Sequence, residues 1–341
     1  KTVLFDTSTE FSASCTPNHV PKTTGAVCYN PQNYEGGFKG PMSIRMALGA
    51  SRNIPAVKAA YLTGVNDIIK TATDMGITGL KDINQYGLSI ALGAADVSLL
   101  DMTGAYAVFA NDGVKNKIEG ILTIKDNKDN IIYESEASPS RVLPEQTARL
   151  MNDILSDPIA RNSIFVRNYF KDDVVALKTG TTNSSRDAWM IGYTPTIAVG
   201  AWIGNNDNRP MSQVASALIV GPMWKKIMDE LLKTSPKESF VKPEEISSDT
   251  KPFMRGVYKT TDGSVHSELY WIDPQNPTGP QPTNPSKDPS FENWEASVYA
   301  PGIEDISTST IQINSIGDFK INILGNRFYL PPTGSITVVP S

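Results

Sequence analysis

The stretch Val174-Val175-Ala176-Leu177-Lys178-Thr179-Gly180-Thr181-Thr182 reads as an apolar strand that ends in a cation, a glycine and a row of hydroxyls. Two more apolar runs follow, at 187–193 and 196–203, separated by Thr194-Pro195. Short apolar runs bounded by Gly, Pro and Asn predict an antiparallel sheet. The chemistry sits on its first strand. A lysine beside a glycine places a fixed positive charge where a substrate backbone can come close. The neighbouring threonine hydroxyls can donate to a carboxylate. Such an edge suits an extended, anionic peptide. Lys-Thr-Gly alone recurs by chance at strand ends and marks no site by itself.

Upstream of the sheet, residues 41–48 have helical spacing, with Met42 and Met46 on one side and Pro41 in the first turn. This helix stops at Gly49-Ala50-Ser51-Arg52-Asn53, and further helices are expected at 55–62 and 67–75. Ser51 and Asn53 lie in the turn between two apolar helices. With one residue between them, both side chains face one cleft if the turn is extended. Both are also favoured N-cap residues, and on local grounds either caps the helix that begins near Pro55. Arg52, between them, reads as a surface charge. Residues 97–110 predict a long helix ended by Asn111-Asp112-Gly113. A hairpin follows at 121–124 and 131–133. Its turn holds Asp126, Asn127 and Asp129 but lacks the glycine and terminal Glu of a calcium loop. Helices at 144–156 and 214–233 flank the sheet, the second kinked at Gly221-Pro222.

Lys+Arg total 31 against Asp+Glu 36, a net charge of −5, which opposes a nucleic-acid partner. No run approaches the ~18 apolar residues that span a bilayer. Cys15 and Cys28 lie in a polar loop and read as free thiols or a loop staple. No CxxC, HExxH, Walker or GxGxxG pattern occurs, so neither metal nor cofactor is expected. The domain expectation is 1–235 as one α/β (α+β) domain, an antiparallel sheet flanked by helices. A proline-rich linker region with short strands is expected at 236–291. A small C-terminal β module follows at 292–341, with strands at 310–313, 319–323, 327–330 and 336–339.

Taken in order, these blocks resemble the transpeptidase domain of the penicillin-binding proteins, most closely the bifunctional class A type. Gly40-Pro41-Met42-Ser43-Ile44-Arg45-Met46-Ala47-Leu48, leading into Ser51-Arg52-Asn53-Ile54-Pro55-Ala56-Val57, is similar to that family's Ser-x-Asn block. Lys178-Thr179-Gly180-Thr181-Thr182-Asn183 followed by 186–195 is similar to its Lys-Thr-Gly signature. The likeness covers roughly residues 1–235. It implies a serine β-lactamase-like fold and a D-Ala-D-Ala transpeptidase that works through a serine acyl-enzyme on peptidoglycan stem peptides and is blocked by β-lactam antibiotics. By resemblance, Ser51 passes a proton between the nucleophile and the leaving amine, and Asn53 orients the substrate amide or the lysine of the Ser-x-x-Lys motif. Lys178 sets the electrostatics. Thr179 and Thr181 bind the C-terminal carboxylate, Gly180 leaves room for the substrate strand, and the Thr181 N–H forms half of an oxyanion hole.

The resemblance also calls for a Ser-x-x-Lys nucleophile ahead of Ser51. No serine in residues 1–50 has a lysine three positions on; Ser239–Lys242 and Ser248–Lys251 match only in spacing. Because the sequence opens directly in strand-like residues, the expectation is that an upstream segment of the same protein carries that serine. This chain alone is then expected to be inactive. Work on peptidoglycan would place it at the extracytoplasmic face of the bacterial cell membrane. A D,D-carboxypeptidase or β-lactamase-like hydrolase shares these motifs and hands the acyl group to water. A non-catalytic, degenerate transpeptidase scaffold is the reading from outside enzymology.

Overall fold

The computed structural model describes residues 1–80, 85–161, 169–170, 174–182, 185–211, 216–299, 320–323 and 326–329. Strand β1 (Val3–Asp6) pairs antiparallel with β2 (Gly40–Ser43), Leu4 opposite Met42 and Phe5 opposite Pro41. The helix expected from Pro41 therefore starts later, as α1 (Ile44–Gly49), with Ser43 Oγ accepting the Met46 N–H at 3.3 Å. Pro41 has no N–H to lose and sits easily in an end strand, so pairing with β1 outcompetes the helix there. Helices α2 (Asn53–Thr63) and α3 (Val65–Asp74) follow, then α4 (Leu99–Ala110), capped by Ser98 Oγ on the Asp101 N–H.

Next come β3 (Val114–Lys115), the hairpin β4 (Thr123–Lys125) and β5 (Ile131–Glu134), and β6 (Ser140–Arg141), which returns to pair with β3. After α5 (Glu145–Leu155) the main sheet runs β7 (Ala176–Thr181), β8 (Asp187–Tyr193), β9 (Ala198–Gly204), antiparallel and in that spatial order. The helix expected at 214–233 is two elements, α6 (Ser216–Ile219) and α7 (Gly221–Thr234), broken at Val220. Pro222 falls in α7's first turn, where its missing N–H costs no helical bond.

Alternation along the strands sorts the sheet into two apolar faces. Val175, Leu177, Ala188, Met190 and Ala201 pack on Val220, Trp224 and Met228. Trp224 is fully buried, and its Nε1 donates to the Val199 carbonyl at 2.8 Å. Gly192 makes this possible, since a Cβ there would lie 2.5 Å from the indole. On the opposite face Ala176 and Tyr193 meet Leu155 and Tyr106, and the Tyr193 hydroxyl donates to Asn152 Oδ1 at 2.8 Å. The sheet is thus covered by helices on both faces, an α+β architecture. Lys178, two residues beyond Ala176, shares the second face.

A second core lies under β1 and α2, and the proline-rich stretch expected to be an extended linker helps to build it. Phe253, Leu269, Ile272 and Trp294 pack with Leu4, Ile54 and Val57. Leu269 comes from α8 (Glu268–Trp271) and Trp294 from α9 (Phe291–Val298). A few large side chains, spaced by prolines, suffice to anchor a segment with little regular structure. Residues 1–300 form one compact unit and 301–341 another. In the latter, β10 (Lys320–Ile323) and β11 (Asn326–Tyr329) form an antiparallel hairpin. The strands expected at 310–313 and 336–339 lie outside the described residues. Cys15 and Cys28 form a disulfide, a loop closure worth roughly 3 kcal/mol.

The second core holds a fully buried ion pair, Lys58 Nζ to Glu268 Oε2 at 3.0 Å, while Glu268 Oε1 accepts the Phe5 N–H. Burial pulls the Lys58 ammonium down and the Glu268 carboxylate works against that pull. Removing one partner leaves an uncompensated charge in the core. Glu268→Ala is expected to cost about 3–5 kcal/mol in urea unfolding, and the apolar pair Lys58→Met with Glu268→Leu to recover most of it. An unchanged unfolding midpoint for Glu268→Ala would mean that α8 is not part of this core.

Candidate active site

Helix α1 ends at Ala50, and the next residue, Ser51, has φ +56°, a left-handed conformation. Its N–H bonds the Leu48 carbonyl at 3.1 Å, and the Arg52 N–H bonds Ala47 O at 2.9 Å. This is a Schellman end, in which the left-handed position is ordinarily glycine. A serine there costs on the order of 1–2 kcal/mol, and backbone strain of this kind gathers at functional sites. The turn exposes the Ser51 side chain, and Lys178 Nζ donates to its Oγ at 2.7 Å. Lys178 also donates to the Thr179 carbonyl at 2.9 Å, which holds the ammonium in place along β7. Burial lowers the Lys178 pKa to about 8. A lysine so tuned exchanges protons near neutral pH.

A cleft of about 1080 Å³ opens over this pair. Ser51, Asn53, Thr179, Gly180 and Thr181 all line it, so these residues of the two motifs converge on one place, and Lys178 reaches it through Ser51. Asn183, at the end of the second motif, lies outside the described residues. β7 is an end strand of its sheet, and Thr179 and Thr181 project from one face while Lys178 projects from the other. The cleft therefore carries threonine hydroxyls along one wall, and a cation stands against Ser51 on another. Ser239 and Ser248 do not line it; Lys242 pairs with Asp153, and Lys251 donates to the Pro277 carbonyl.

Two local expectations change. Neither Ser51 nor Asn53 caps α2 with its side chain. The helix begins at Asn53 itself, whose Nδ2 donates to the Gln32 carbonyl at 2.7 Å. Arg52 is not a surface charge. It is 6% exposed, and its Nη2 lies 2.7 Å from Asp6 Oδ2. Nothing local distinguishes a buried arginine from a solvated one; its partner is 46 residues upstream.

A sequence profile of the penicillin binding protein transpeptidase domain matches residues 9–229. The chain is 33% identical to penicillin-binding protein 2D of Bacillus subtilis (strain 168) over 227 residues, 64% of this chain and 32% of that protein. It is 31% identical to penicillin-binding protein 1A of Aquifex aeolicus (strain VF5) over 216 residues, 63% of this chain and 29% of that protein. The chain spans about a third of the length of these curated relatives. Among solved structures, penicillin-binding protein 1A from Haemophilus influenzae aligns with a TM-score of 0.62 at 23% identity, covering 83% of this chain and 45% of that one. At that identity the likeness is one of fold.

Two outcomes test the local geometry. Ser51→Gly is expected to raise stability by about 1 kcal/mol in urea unfolding, because glycine adopts the left-handed position freely. A loss instead would mean that the side chain's contacts outweigh the backbone cost. For Lys178, a folded pKa lowered from 10.5 to about 8 means that between those pH values the unfolded chain holds a proton the folded chain has released. Stability from this group rises with pH through that window, and below it the buried charge is a cost. Lys178→Met should therefore be more stable than the parent at pH 7 by on the order of 1–3 kcal/mol, with the gap closing by about pH 10.5. A gap that stays constant with pH would contradict the lowered pKa.

Proposed function

The chain belongs to the penicillin-binding protein transpeptidase domain family, and on that premise we propose that its cleft is the stem-peptide site of a peptidoglycan D,D-transpeptidase. The observation that carries this reading is the 2.7 Å contact between Lys178 Nζ and the Oγ of Ser51, a residue that lines the cleft. The reaction joins two peptide stems. A serine hydroxyl attacks the carbonyl between the two terminal D-Ala residues, D-Ala leaves as the amine, and the acyl group stays on the serine. An amine of a second stem then attacks the ester and frees the serine, leaving a peptide cross-link.

In this scheme Lys178, donating to Ser51 Oγ, directs the Ser51 hydroxyl proton away from itself and towards the reacting groups. Ser51 passes that proton to the departing amine and takes up the one released by the nucleophile. With a pKa of about 8, Lys178 stays mostly protonated at neutral pH and attracts the substrate's terminal carboxylate. Thr179 and Thr181 hydroxyls bind that carboxylate, and the Thr181 N–H faces the developing oxyanion. Gly180 keeps the strand open to a close-lying peptide. Asn53, whose Nδ2 is held by Gln32, presents Oδ1 to a substrate amide.

The acyl-carrying serine belongs to a Ser-x-x-Lys segment outside the residues that line the cleft here. A β-lactam resembles the terminal dipeptide and stalls at the acyl stage. The PonA1 protein of Mycobacterium tuberculosis, solved in complex with penicillin V, aligns with this chain at a TM-score of 0.56 and supports that ligand class. The Cys15–Cys28 disulfide supports an oxidising, extracytoplasmic setting. No helix among the described residues is long and apolar enough to cross a membrane.

The test is labelled penicillin followed by intact mass and peptide mapping. Residues 1–341 alone are expected to stay unlabelled. Joined to a Ser-x-x-Lys segment, the enzyme is expected to take one label on that serine, with Lys178→Met or Ser51→Ala slowing acylation by about 100-fold or more. Stoichiometric labelling of a serine within 1–341 would overturn the assignment of the nucleophile. Acylation indifferent to Lys178→Met would overturn the proposed role of the pair.

A further inference from the structure

Three side chains form one network at the wall of the cleft, which Asn33 and Arg52 line. Asp6, Asn33 and Arg52 are 0%, 5% and 6% exposed, in a molecule whose charged groups otherwise mostly face water. Arg52 Nε donates to Asp6 Oδ2 at 2.8 Å, Nη2 lies 2.7 Å from the same oxygen as an ion pair, and Nη2 donates to the Gly37 carbonyl at 2.8 Å. Asn33 Nδ2 donates to Asp6 Oδ1 at 2.8 Å and to the same Gly37 carbonyl at 2.9 Å. The Lys39 N–H completes the Asp6 carboxylate at 3.0 Å.

The other end of Asn33 is the informative one. Its Oδ1 accepts the Asn53 N–H at 2.9 Å and reaches the Ile54 N–H at 3.5 Å. These are the first two N–H groups of α2, which have no acceptor within the helix, and the second of them is one that an N-cap side chain can satisfy. Here the N-cap residue is Arg52, whose side chain is turned inward, so the cap arrives from a loop 20 residues upstream. The Ser51-Arg52-Asn53 turn is thereby fixed from both sides. The Schellman bonds hold its start to α1, and the Asp6–Asn33–Arg52 network holds its end to β1 and the 33–39 loop.

We infer that Asp6 and Asn33, acting through Arg52 and the main chain of α2's first turn, are positioning residues that hold the strained Ser51 hydroxyl against Lys178; the inference rests on the transpeptidase reading of the cleft. The middle residue of the Ser-x-Asn motif is then an anchor. A buried ion pair is a poor source of net stability compared with an apolar pair of like volume. What it adds at this position is a fixed direction: a planar guanidinium bonded through Nε to the Asp6 carboxylate and through Nη2 to the Gly37 carbonyl allows the turn little rotation. Without that anchor, the left-handed residue next to it has a lower-strain conformation to fall back into, and Ser51 Oγ leaves the lysine.

The test separates positioning from folding. Asp6→Leu with Arg52→Met removes both charges together, so no orphan ion remains, and Asn33→Ala removes the remote cap while leaving the ion pair whole. Two readouts are used. One is the titration of Lys178 in residues 1–341, followed by NMR of methyl-labelled lysines. The other is penicillin acylation of the enzyme carrying its Ser-x-x-Lys segment. For variants that keep cooperative unfolding, the Lys178 titration is expected to move up from about 8 towards 10.5 as water reaches the ammonium. Acylation is expected to slow by about 10- to 100-fold, the effect of a small misplacement of reacting groups.

Cooperative folding with both readouts unchanged would overturn the inference. If the double variant does not fold, Asn33→Ala decides on the same two measurements. Failure of the transpeptidase reading is seen separately, as acylation indifferent to Lys178→Met; the Lys178 titration then judges the clamp by itself.

Discussion

A single hydrogen bond, Lys178 Nζ to Ser51 Oγ, joins residues 127 positions apart, and the architecture can be understood as what is needed to make it. Its two halves are held by different means. Lys178 stands on β7, the end strand of a sheet locked by helices on both faces, so its backbone has little freedom. Ser51 stands on a turn, where rigidity has to be built from capping bonds and buried polar contacts. A contact this short between a strand and a strained turn requires that α1, α2 and the sheet keep a fixed separation. Close backbone packing holds the α1 end of it: a Cβ on Gly49 would fall 2.6 Å from Ala160, in the segment that follows α5.

Much of the fold was legible in the amino-acid order because its strongest signals are local. The three strands of the sheet are short apolar runs with turn residues between them. Helix α4 carries its own cap in Ser98 and its own stop at Asn111-Asp112-Gly113. The readings that changed are those settled at long range. Met42 has the spacing for a helix, yet its residue pairs with Leu4, and only the presence of β1 decides it. The stretch around Phe253 to Trp294 has the composition of a linker, and only the complementary surface on α2 turns its scattered large side chains into a core.

The site divides in the same way. Ser51, Asn53, Lys178, Thr179, Gly180 and Thr181 could be singled out because their two blocks resemble motifs of the transpeptidase family, whereas on local grounds alone they read as a strand end and a helix cap. Asp6, Asn33 and the inward turn of Arg52 could not, because an aspartate at a strand end and an asparagine in a polar loop are the commonest of residues in those places. The signal that would have found them is negative. α2 has no capping side chain in the residue before it, so its first N–H groups needed a partner from elsewhere.

The bond from the Phe5 N–H to Glu268 spans 263 residues, closing the first strand with one of the last helices of the same unit. During synthesis the chain emerges in order, at about 5–20 residues per second. Glu268 follows Lys58 by 210 residues, so α2 waits roughly 10–40 s for the carboxylate that neutralises its lysine. Over that interval the Ser51 turn rests on an unfinished core, so its contact with Lys178 is secured late, whatever the speed at which the sheet itself assembles.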